Sequence, residues 1–149
     1  MIICDLNIIS FDKKIPIKHL RDKFTLEEYN RNIFLPQKLY KDTFPVAQAF
    51  RGFWYRVYPP AKDMYSNTFF DMEFGADSIP YVTVRKEWSN SIQFLLTHFL
   101  DFEPGLRFGV FVRLYGRKNE VINTGYTSER FIADLLQGNI HFDELYLIG

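Results

Sequence analysis

The stretch Leu106–Tyr115 constrains the fold of this chain more than any other. Phe108, Val110, Val112 and Leu114 fall on one side of it, and Arg107, Gly109, Phe111, Arg113 and Tyr115 on the other. Alternation with period two is the geometry of a strand with one face against a core. Such a strand needs sheet neighbours and a layer over its apolar face. The covering layer is readable just upstream. Trp88, Ile92, Leu95, Leu96 and Phe99 recur at helical spacing, which predicts a helix over Ser89–Phe102. Pro104-Gly105 stops it, and Phe94 lies on the far side of its apolar stripe.

The remaining elements follow in order. Met1–Ile9 reads as a strand with Ile2, Cys4, Leu6 and Ile8 on its core face. A helix is expected over Pro16–Phe24, with Ile17, Leu20 and Phe24 inward. Thr25 with Glu28 three residues on has the form of a capping box and predicts a second short helix reaching Ile33. Residues 35–50, interrupted by Pro36 and Pro45, read as a surface loop. Arg51–Tyr58 is an aromatic strand ended by Pro59-Pro60, Asn67–Phe74 a third strand, and Tyr81–Arg85 extended. After Tyr115, Gly116–Asn119 signals a hairpin to a strand at Glu120–Tyr126. A capped helix over Ser128–Gln137 and a strand over Phe142–Ile148 close the chain. The expectation is a single α+β domain over residues 1–149, with one antiparallel or mixed sheet and helices mainly on one face. Its C-terminal half is in βαββαβ, ferredoxin-like order.

Charge and composition narrow the function. The 149 residues carry 18 Lys and Arg against 18 Asp and Glu, a net charge of zero. That argues against a protein that lives on nucleic acid or an anionic membrane. The single cysteine, Cys4, leaves no internal disulfide and no thiolate cluster. No apolar run approaches the ~18 residues of a membrane span, and the start of the chain lacks the basic n-region of a signal peptide. A cytoplasmic location and no membrane partner are expected. His19, His98 and His141 sit on three separate elements without metal-ligand spacing. No GxSxG, GxGxxG or P-loop occurs, and adjacent Asp143 and Glu144 point to opposite faces of a strand. Neither a catalytic group, a metal nor a cofactor is indicated.

Two binding readings remain. Arg51, Gly52, Phe53, Tyr55 and Tyr58 match part of the aromatic signature of RNA-recognition motifs, while Trp54 and Arg56 break it. A nucleic-acid-binding module using the 51–58 strand is therefore the alternative reading. The other comes from charge distribution. Asp63–Val84 holds Asp63, Asp71, Glu73 and Asp77 and no base, whereas Met1–Lys62 holds eleven bases and six acids. Acids interleaved with Tyr65, Phe69 and other aromatics suit docking on a basic protein surface. Asp63, Tyr65, Phe69, Asp71, Glu73, Asp77 and Phe94 are the partner-binding residues this reading selects.

The helix Ser89–Phe102, the strand Phe108–Leu114, the hairpin, the helix Ser128–Gln137 and the terminal Phe142-Asp143-Glu144-Leu145-Tyr146 form a pattern. So does the Gly52–Tyr58 strand with Trp54. From Gly52 onward the chain resembles a bacterial family of small α+β domains. Its members include immunity proteins that accompany polymorphic and contact-dependent growth inhibition toxins. The resemblance implies a cytoplasmic protein that binds and neutralises a cognate toxin. If that toxin is a nuclease, the acidic 63–77 segment is expected to cover or flank its basic active site.

Overall fold

The computed structural model describes residues 4–33, 50–60, 68–71, 81–114 and 121–149. Its strands are β1 (Cys4–Ser10), β2 (Thr25–Ile33), β3 (Phe50–Tyr58), β4 (Phe108–Leu114), β5 (Val121–Tyr126) and β6 (Glu144–Ile148). Its helices are α1 (Ser89–Leu100) and α2 (Ser128–Leu136). The architecture is α+β, a six-stranded mixed sheet in the order β2-β3-β1-β4-β6-β5 with both helices against one face. Every pairing is antiparallel except β5 with β6.

The alternation in β4 sorts as the sequence predicts. Phe108, Val110 and Val112 join Leu6, Ile8, Tyr55 and Val57 in the core beneath the helices. Ile92, Leu95, Leu96, Phe99 and Leu100 of α1 close that core from above. The side chain of Thr127 accepts a hydrogen bond from the Arg130 backbone N–H and caps α2, which contributes Phe131, Ile132 and Leu135. On the opposite sheet face Ile9, Phe111 and Leu145 form a smaller cluster, flanked by Phe11, Trp54, Ile122 and Leu147. Gly109 lets this cluster pack closely: a Cβ would lie 3.1 Å from Leu145 Cδ1 and 3.3 Å from Phe11 Cζ, so those side chains would have to give way.

Three expectations are corrected. Thr25–Ile33 is a strand, not a capped helix, and pairs with β3 along its whole length. A helix there would leave the outer edge of β3 unpaired, and that tertiary demand outweighs a local capping signal. Glu28, the residue of the expected capping box, instead bonds Lys14 (3.1 Å) and Arg21 (4.0 Å). The expected helix over Pro16–Phe24 shrinks to one 3-10 turn, Lys18–Leu20, because the chain must enter β2 at Thr25. Its three apolar residues Ile17, Leu20 and Phe24 are buried all the same.

The third correction concerns topology. β4 and β5 do not pair as a hairpin, because β6 lies between them, so the described strands do not follow the ferredoxin-like order. Burial explains the exchange. β6 buries Leu145, Tyr146 and Ile148, whereas β5 is half-solvated and carries Gly125 at φ +78° beside a register shift. An apolar strand belongs inside the sheet, and a polar, irregular one at its edge. Tyr81–Arg85 is no sheet strand; it makes single bridges, Tyr81 with His141 and Val84 with Phe70. The loop expected at 35–50 lies, up to residue 49, outside the described residues, as do most of the 67–74 segment and the 116–119 turn. Among the described residues, no helix is long and apolar enough to cross a membrane.

Leu96 is fully buried between α1 and the sheet. Leu96→Ala is expected to cost ~2–5 kcal/mol in urea unfolding, the usual range for truncating a buried leucine. A variant as stable as the parent would contradict this core assignment.

Candidate interaction surface

The residues chosen from sequence scatter. Asp63, Tyr65, Glu73 and Asp77 lie outside the described residues. Phe69 is only 1% exposed and packs on Trp88 and Phe24, with ring centroids 6.0 Å apart in each case. It is a core residue and cannot anchor a partner, which corrects its selection. Asp71 is exposed, with its backbone N–H donating to the Thr83 carbonyl at 2.8 Å. Phe94, selected because it falls off the apolar stripe of its helix, is 46% exposed.

Phe94 stands between two shallow grooves on the outer side of α1. The first, of about 380 Å³, is lined by Lys23, Phe24, Pro60, Trp88 and Ser91. The second, of about 420 Å³, is lined by Gln93, Thr97 and His98. Asn90 and Phe94 border both. Lys23 Nζ sits 4.5 Å from the Phe94 ring centroid, a cation–π contact that holds ring and ammonium together. His98 lies 2.9 Å from the Pro16 carbonyl through Nε2, and its ring meets His19 edge-on at 4.6 Å. The 3-10 turn and α1 therefore form one surface, fixed from below by Ile17, Leu20, Phe24 and Phe99. Sequence spacing had left His19 and His98 on separate elements; only the tertiary fold shows them as neighbours.

The charges on this surface are unbalanced. Lys13 pairs with Glu103 at 2.6 Å, and Lys14 and Arg21 share Glu28. Lys18 and Lys23 are exposed, and neither has a carboxylate at ion-pair distance among the described residues. Asp22, also exposed, is the acid of the same turn.

The opposite face of the sheet is organised around a buried carboxylate that the sequence reading did not single out. The Asp5 side chain is 0% exposed, with Arg113 Nη2 at 2.6 Å and Arg56 Nε at 3.5 Å. Asn7 Nδ2 donates to Asp5 Oδ1 at 2.6 Å, and the Trp54 indole N–H donates to Asn7 Oδ1 at 2.8 Å. Tyr58 Oη donates to Asp5 Oδ2 at 3.4 Å, and burial first, then the Asp5 charge, pushes that phenol up to about 12. The signal for this network was two polar residues inside an apolar strand.

Of the matching aromatics in strand 51–58, Phe53 and Tyr55 pack toward the helices, whereas Tyr58 lies on the Asp5 face. Tyr55 is fully buried, accepts from the Ile15 N–H at 2.8 Å and donates to the Ile15 carbonyl at 3.2 Å. Base stacking needs an exposed ring. Elsewhere, His141 Nδ1 lies 2.7 Å from Glu144 Oε2, with Tyr81 edge-on to the imidazole at 4.3 Å. Burial pushes the Cys4 thiol up to about 12, so it stays protonated at neutral pH. Among the described residues, no group of three or more His, Cys, Asp or Glu could hold a metal ion. No protein-family model matches the chain, and neither a curated protein nor a solved structure matches it.

Asp5→Ala is expected to cost ~1–3 kcal/mol in urea unfolding, because Arg113 loses its counter-charge while Arg56 keeps Glu27 at 3.6 Å. Adding Arg113→Met to that variant should recover part of the loss. A single variant as stable as the parent would show that Arg113 does not depend on Asp5.

Proposed function

We propose that this protein acts by binding another protein, and that it is an immunity protein that neutralises a cognate bacterial toxin in the cytoplasm without a reaction of its own. The observation that carries the binding half is Phe94. A phenylalanine 46% exposed between two grooves, on a helix whose other side is fully packed, offers apolar area that water solvates poorly. Uncharged hydrogen-bonding groups at Asn90, Ser91, Gln93 and Thr97 surround it, the arrangement of an apolar anchor within a polar rim. The immunity half is supported by the resemblance of the chain from Gly52 onward. Binding would cover the toxin's active site or an adjacent surface and exclude its substrate by bulk.

The test begins with the neighbouring gene: the immunity reading expects it to encode a large secreted protein, whose variable C-terminal domain is then the toxin to be tested. Co-expression with the parent chain should protect cells, and the purified pair should form a complex. Phe94→Ala should weaken that complex by ~30-fold, the effect of losing an anchor worth about 2 kcal/mol, with an unchanged melting temperature. A parent chain that neither protects nor binds would overturn the immunity reading. Full binding by Phe94→Ala would move the docking face away from α1.

A further inference from the structure

We infer that the surface made by the 3-10 turn and the outer side of α1 receives an acidic segment of its protein partner, one that carries an aromatic or large aliphatic side chain. The identity of the partner as a toxin rests on the reading above. Its chemistry rests on this surface alone.

The sign is opposite to the one the acidic 63–77 stretch suggested. Among the described residues, no carboxylate lines either groove beside Phe94. Five bases occur between Lys13 and Lys23, against Asp22 alone. Among the described residues, two carboxylates from other elements reach this turn, and they are already engaged. Glu103 is taken by Lys13, and Glu28 by Lys14 and Arg21. Lys18 and Lys23 are left facing solvent with Asp22 beside them, and His19 is exposed next to them. Lys23 is held over Phe94 by the ring itself, so a cation and an apolar surface are presented side by side. A partner carboxylate at Lys18 or Lys23 would gain a charge-assisted contact. An adjoining apolar side chain could enter the groove floored by Phe24 and Trp88 and displace its water. A basic segment would meet like charge at the same place.

The test does not depend on knowing the toxin. Phage-displayed random peptides are panned on the full chain, and the leading peptide is synthesised and measured by fluorescence anisotropy. Enriched peptides should combine Asp or Glu with an aromatic or leucine. Lys18→Glu with Lys23→Glu should weaken the peptide at least ~10-fold, as should Phe94→Ala, with unchanged circular dichroism. Binding to the parent should also weaken as salt rises from ~0.05 to ~0.5 M. Asp71→Lys should bind the peptide as the parent does. Enrichment of basic peptides, no enrichment, or an unaffected lysine double variant overturns the inference. So does equal competition by mixed single-stranded RNA at ~0.1 M salt, which would mark a phosphate-binding face. Acidic peptides that bind while the neighbouring toxin domain does not would uphold the inference and remove the immunity reading. A toxin complex lost with Phe94→Ala but kept with the lysine double variant would uphold the docking face and remove the inference.

Discussion

Every residue of β1 from Cys4 to Ser10 is buried, although two of the seven are Asp5 and Asn7. A carboxylate taken out of water costs several kcal/mol unless opposite charge and hydrogen bonds meet it. Here the compensating cations come from both sides, Arg56 on β3 and Arg113 on β4. The three central strands are thereby tied at one point. A slip of one residue in β1 would turn Asp5 toward the helix-covered face, away from Arg56 and Arg113. The network thus acts on register: apolar alternation says which face is inward, and the ion cluster says which residues stand opposite each other.

That division of the sheet shapes where a partner can act. One face is filled by the helices, and the other is occupied by the Asp5 cluster and the Ile9–Phe111–Leu145 group. The outer side of α1 is the helix surface on which an aromatic ring, a lysine and two grooves meet. Its shape is inherited from the core. Ile17, Leu20 and Phe24 pin the turn that carries Lys18 and Lys23, so the charges are placed by apolar side chains beneath them.

Much of this was legible in order and little of it in pairing. The α1 stripe and the β4 alternation could be read because each is a local periodicity whose meaning does not depend on distant residues. Phe94 could be read for the same reason, as an aromatic off the stripe. Thr25–Ile33 was misread because a capping box and a strand use the same residues, and the choice lay with β3, some 25 residues away. The hairpin after β4 was misread because a turn signal cannot reveal that a later, more apolar strand will insert beside it. Phe69 shared an acidic neighbourhood with Asp71, yet its ring points at Trp88. The Asp5 cluster joins residues as far apart as 108 positions, and no window of sequence contains it.

The insertion of β6 between β4 and β5 also sets an order in time. Residues 144–148 leave the ribosome after those of every other described strand, yet they fill an interior place in the sheet. Until they emerge, β1, β2, β3 and β4 can pair, but β4 ends in an open row of backbone groups, and β5 has no strand beside it. A nascent chain at that stage presents exposed pairing edges of the kind that recruit other chains. The last described strand closes that interval by joining the two halves of the sheet, with α2 as the crossover between the parallel β5 and β6.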